Sequence, residues 1–171
     1  NLCNASPAAD GIPALLALDA EVELVSMRGG RRVPLATFLR GSRQTALEPD
    51  ELVSALWIPH RPNARATFFK LGHRRYLVIS IVMVSALIEL EHGVIAHAAV
   101  AVGSCSAVAQ RLPALERKLV GQAADCALEE LVSSADLAPL APIDDVRGSA
   151  VYRLDAAATL VRRALAGAIH E

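Results

Sequence analysis

The sequence predicts an α+β fold, and three observations carry that reading. Strand-like segments dominate residues 21–102 and helical spacing dominates 109–169. The two kinds are segregated along the chain, not alternating as in a parallel α/β sheet. Turn signals fall between the strand segments at short intervals, which favours antiparallel pairing. The expected order is mixed or antiparallel strands with short helices, then an antiparallel sheet packed on a helix bundle.

The elements follow in order. Ala9 to Leu18 reads as a short helix, with Asp10 placed to cap it and Pro13 tolerable in the first turn. Glu21 to Ser26 alternates charged and apolar residues, so it reads as a strand. Met27 to Arg32 is a turn, and Arg31 to Leu35 returns as a second strand. Pro34 to Leu39 reads as one helical turn, and Gly41 to Thr45 as polar and flexible. Leu52 to Ile58 is a strand ended by Pro59 and Pro62. The run Pro59-His60-Arg61-Pro62-Asn63 is the best domain boundary. Beyond it, Ala64 to Leu71 is a strand. Ile79 to Leu90 and Val94 to Val102 form a long hairpin turning at Glu91-His92-Gly93. Ala109 to Gly121 and Ala123 to Ser134 read as helices, and Gly148 to Ile169 as a long terminal one.

Composition narrows the function classes. The chain has 171 residues, 53% hydrophobic but only 4% aromatic, so Leu, Val, Ile and Ala must fill its core. With 17 basic and 18 acidic residues, it offers no general attraction to nucleic acid or anionic membrane. The uncharged run Tyr76–Ile88 is too short for a bilayer, which takes roughly 20 residues. Cys3, Cys105 and Cys126 are odd in number, far apart and form no C-x-x-C, so no iron–sulfur or zinc site is expected on this chain. A reduced, cytoplasmic compartment fits such cysteines. The five histidines have no metal-ligand spacing.

Five stretches carry chemistry. The chain opens Asn1-Leu2-Cys3-Asn4-Ala5-Ser6-Pro7-Ala8-Ala9-Asp10. Small residues there let a backbone approach a ligand, and turn N–H groups can solvate a pyrophosphate. Asp10 can accept from sugar hydroxyls or simply cap its helix. Leu47-Glu48-Pro49-Asp50-Glu51-Leu52-Val53 reads, on its residues alone, as an edge strand after a Pro-Asp turn. In Phe68-Phe69-Lys70-Leu71, Lys70 enters a mainly apolar strand, where a charge is costly unless paired or snorkelling. Gly72-His73-Arg74-Arg75-Tyr76-Leu77 reads, on its residues alone, as a basic surface stretch with Tyr76 packed on Arg75. The tail run Ile143 to Arg153 reads as a salt-bridge network of Asp145, Arg147 and Arg153.

In order and spacing, these stretches resemble the FAD-binding (medium) subunit of molybdenum hydroxylases, the xanthine dehydrogenase and carbon monoxide dehydrogenase family. The resemblance runs from Asn1 to about Leu165. In that family a Gly-Gly pair precedes the residue matching Asn1, so the chain reads as the later part of a flavoprotein, without its N-terminal FAD subdomain. Residues 1–60 would be the end of the FAD-binding (PCMH-type) domain, and 64–171 the flavoprotein C-terminal domain. The resemblance implies FAD as cofactor, with Asn1, Asp10, Val53, Lys70 and Tyr76 as its contacts. Asn1 would end the pyrophosphate turn, Asp10 would bind sugar hydroxyls, and Lys70 would reach the flavin ring. Val53 stands where the family has Leu or Ile. No acidic residue follows the Arg74-Arg75 pair, so the field at the flavin would be less negative than in many relatives.

The molybdenum cofactor and [2Fe–2S] clusters would lie on partner subunits. Electrons would pass through FAD to an acceptor such as NAD or a quinone, with no acid, base, nucleophile or metal ligand on this chain. A docking module of the same complex without flavin, and a stand-alone flavin-dependent reductase, are the alternatives.

Overall fold

The computed structural model describes residues 2–124 and 126–170, of His170 the backbone alone. The first core is built on a three-stranded antiparallel sheet. It holds β1 (Glu21–Ser26), flanked by β2 (Gly29–Pro34) and β5 (Leu52–Trp57). The alternation read in β1 decides its sides: Val22 and Leu24 are fully buried, with Glu21 and Glu23 turned away. The helix α1 (Gly11–Ala17) and the turn α2 (Leu35–Phe38) close this core with Ile12, Leu16, Leu35 and Phe38. On the outer face, Glu23 accepts from Ser54 at 2.7 Å and from the Trp57 indole at 2.8 Å. The Arg32 guanidinium lies 3.5 Å from the Trp57 ring centroid. The segment expected to be flexible is a small hairpin, β3 (Leu39–Gly41) with β4 (Gln44–Thr45).

The second core lies under a four-stranded antiparallel sheet. Its order is β6 (Ala64–Leu71), β7 (Val82–Glu91), β8 (Val94–Gly103) and β9 (Gln110–Arg111). The β7–β8 turn has His92 at φ 52° and Gly93 at φ 79°, the left-handed pair that a two-residue hairpin needs. Both faces of the two central strands are covered. Val82, Val84, Ala86 and Ile88 join the core with the long helix α4 (Ala150–His170). The neighbours Met83, Leu87, Ala99 and Ala101 are equally buried, on the side where α1 packs. Two covered faces explain why β7 and β8 read as nearly continuous apolar runs. α1 packs tightly at Gly103, where a Cβ would stand 2.8 Å from Pro13 and 2.7 Å from the end of Met83.

The helical layer is thinner than expected. Of Ala109 to Gly121 only α3 (Pro113–Leu119) is helical, because residues 110–111 pair with β8 as β9. Pro113 stands at the helix start, where its absent N–H costs nothing. Ala123 to Ser134 is not a helix. It contains one 3₁₀ turn, Leu128–Leu131, and a second follows at Ser134–Leu137. Ser133 and Asp136 bond each other's backbone there, and this local bonding competes with helix continuation.

Candidate functional site

Asp10 begins α1 but does not cap it: its backbone is helical, at φ −59°, and its side chain makes no capping bond. The carboxylate instead reaches across to the second sheet. Oδ2 pairs with Lys70 Nζ at 2.5 Å, and Oδ1 accepts from the Ser80 hydroxyl at 2.8 Å. Lys70 stands on β6 opposite Met83, so it shares the α1-facing side of the sheet. Its charge is therefore paired rather than released to solvent. The Asp10 side chain keeps 49% of its exposure, so the carboxylate still presents free lone pairs outward.

Between Lys70 and Ser80 the chain forms a surface loop. Its base is closed by the Ile81 N–H donating to the Leu71 carbonyl at 2.8 Å. Tyr76 is 70% exposed on this loop, and the Arg75 guanidinium lies 5.3 Å from its ring centroid. Leu77 is nearly free of contacts at φ 49°, and its carbonyl accepts from Arg74 Nε at 3.1 Å. Phe68 and Phe69, just before Lys70, are also exposed. Phe68 shares the Lys70 side of β6, whereas Phe69 points to the α4 side.

Asp10 and Lys70 are thus brought together, with Tyr76 on the loop between Lys70 and Ser80. Val53 is elsewhere: it pairs with Leu24 in the first sheet and packs, half-buried, on the first core. Asn1 lies outside the described residues. Ser80 was not singled out from the sequence. The one signal for it is a small polar residue inside an apolar run, and many such serines merely face solvent.

The tail residues form the network expected of them. Asp145 accepts from the Arg147 N–H at 2.8 Å and from Arg153 Nη2 at 2.7 Å. The Arg147 N–H, then Arg153, hold its carboxyl down at about 2. Arg153 is 3% exposed and also donates to the carbonyls of Ile81 at 2.6 Å and Ser104 at 3.1 Å. It ties the first turn of α4 to the residues that flank the two central strands. A cavity of about 610 Å³ opens between this network, Ser80 and the opening motif at Ser6-Pro7-Ala8. Among the described residues, Ser104 Oγ and Arg153 Nε on its wall have no hydrogen-bond partner. No group of acidic, His or Cys side chains among the described residues could hold a metal ion.

Residues 1–61 match the FAD binding domain in molybdopterin dehydrogenase, and residues 67–168 match the CO dehydrogenase flavoprotein C-terminal domain. The chain belongs to the molybdopterin dehydrogenase flavoprotein family. The flavoprotein is 32% identical over 151 residues to the nicotine 6-hydroxylase medium subunit of Paenarthrobacter nicotinovorans, covering 88% of this chain and 53% of that protein. It is 28% identical over 171 residues to the xanthine dehydrogenase FAD-binding subunit of Escherichia coli O157:H7, covering 99% of this chain and 59% of that one. Its fold superposes on the Cu,Mo-CO dehydrogenase with a TM-score of 0.90 at 27% identity, covering 99% of this chain and 59% of that one. The flavoprotein thus spans a little over half the length of these relatives, and its family is one of oxidoreductases. Among the described residues, no helix is long and apolar enough to cross a membrane.

Proposed function

We propose that the flavoprotein contributes one wall of an FAD site in a molybdenum hydroxylase, with Asp10 and Lys70 as its polar contacts. The observation that carries this reading is their pairing across two elements that are 60 residues apart. A half-exposed carboxylate suits sugar hydroxyls, which donate to it, and an adjacent ammonium suits negative charge on the ligand. Tyr76 is free to lie against a flat ring, since it is largely exposed. Val53 would contact the nucleotide through its backbone, and Asn1 would end the pyrophosphate turn. Both roles rest on the family motif alone. Bound FAD supplies the electron-transfer chemistry that links iron–sulfur clusters on a partner subunit to an acceptor such as NAD or a quinone. The molybdenum cofactor belongs, in this reading, to a further subunit. The residues here orient the cofactor and set its charge environment, and none needs to act as an acid, base or nucleophile. We also place the domain boundary at residues 60–64, supported by the separate sheets on either side of it.

The test is the flavin midpoint potential in the assembled enzyme, measured by spectroelectrochemistry at matched FAD content. Lys70→Met keeps much of the stem and removes the charge. A cation beside the ring favours the negative charge that builds up on reduction, so the substitution is expected to lower the potential. An unchanged potential would place Lys70 away from the ring. Absence of flavin absorbance in the wild-type enzyme would favour the docking-module alternative instead.

A further inference from the structure

Ser80 is 1% exposed, and its hydroxyl is spent on the Asp10 carboxylate. Its position is fixed independently of Asp10. The neighbouring Ile81 donates its N–H to Leu71 and accepts at its carbonyl from the buried Arg153. From this anchored point the hydroxyl reaches Asp10 Oδ1, 70 residues away in sequence. The Asp10 carboxylate is not held by its own element, since its side chain makes no capping bond to the seven-residue helix that follows it. The carboxylate is oriented by two donors, Lys70 on β6 and Ser80 on the loop before β7, one on each oxygen.

The two donors are not equivalent. Lys70 has a long stem with many rotamers, and in the proposed site its charge is shared with the cofactor. Ser80 has one side-chain torsion to its oxygen and is packed, so it is the stiffer constraint. A carboxylate has about four lone-pair directions. With Ser80 on one and Lys70 on another, the remaining directions on the half-exposed side face outward.

We propose that Ser80 is a positioning residue. It holds the Asp10 carboxylate in the orientation that accepts from the sugar hydroxyls of FAD, and so sets flavin affinity through Asp10. This rests on the reading that Asp10 contacts FAD.

The experiment is a double-mutant cycle on FAD affinity in the full-length flavoprotein, by calorimetry. It uses wild type, Ser80→Ala, Asp10→Ala and the pair, each with a melting curve. Ser80→Ala is expected to weaken FAD roughly tenfold in the wild-type background, the scale of one oriented hydrogen bond. In the Asp10→Ala background it is expected to change affinity by less than about twofold, because the group it positions is gone. Equal weakening in both backgrounds would overturn the proposal, since Ser80 would then act on the fold at large. Unchanged affinity in Ser80→Ala, with Asp10→Ala still weakened, would overturn it too. Unchanged affinity in Asp10→Ala would remove the underlying reading of the site instead.

Discussion

Asp10 allows two readings in sequence, a helix cap or a ligand contact, and its partners remove the cap. Lys70 lies 60 residues away and Ser80 lies 70 away, so no local pattern could show that they meet. Lys70 was legible as a charge in an apolar strand that needs a partner, though the partner was not. Tyr76 keeps both of its readings, since it leans toward Arg75 and is still largely exposed. Arg153 is legible as part of a tail network, but its burial is not, because its carbonyl partners lie 49 and 72 residues earlier, just beyond the ends of β8 and β7. Arg153→Met is expected to be severe. It removes the donor from the Ile81 and Ser104 carbonyls and one of the donors to Asp145, and a carbonyl left unpaired away from water costs roughly 1–3 kcal/mol. Urea unfolding of the two proteins checks this. A loss under about 1 kcal/mol would show that water readily replaces the guanidinium.

At the scale of elements, the strands were the more legible part. β6 was read with its observed limits, and the β7–β8 hairpin with its turn, because apolar runs and Gly93 mark them plainly. The helices between residues 109 and 134 were over-read. Ala-, Leu- and Glu-rich composition has helical propensity, but short helices in water depend on tertiary packing. There the packing favours β9 pairing and two 3₁₀ turns. The docking of α1 depends on one absent side chain. Gly103→Ala would put a methyl 2.8 Å from the rigid Pro13 ring, where Met83 alone could yield. Overpacking of this kind costs about 1–3 kcal/mol, readable as a lowered melting temperature. Because α1 carries Asp10, weaker FAD retention is expected to accompany it.

At the scale of the whole molecule, two cores meet through α1, which closes the first and packs on the sheet of the second. The α+β class was legible from the segregation of strands and helices, and the family from the order of its motifs. The meeting of the halves was not legible, since small residues such as Ala17 and Gly103 give no pairing signal. In each half a carboxylate is held well below its ordinary range. Glu51 lies at about 2 against an ordinary 4.5, mainly through the Arg31 guanidinium, and Asp145 at about 2 against 3.8, mainly through the Arg147 N–H. Acids depressed by folding lend stability that is full above their ordinary values and is lost as pH falls toward the folded ones. Stability is therefore expected to fall between about pH 4.5 and 2. Denaturation midpoints for Glu51→Gln and Asp145→Asn are expected to fall less steeply over that window than the wild type's. An identical slope would mean that these pairs persist equally in the unfolded chain.

The central claim is that Asp10 faces FAD, and the FAD dissociation constant of Asp10→Ala in the full-length flavoprotein tests it most directly. Losing a charge-assisted bond to a sugar hydroxyl costs roughly 1.5–3 kcal/mol, or about 10- to 150-fold in affinity. That weakening is the expected result, with the fold retained by circular dichroism. Wild-type affinity in the variant would contradict the claim and leave Asp10 as a structural tie between the two sheets.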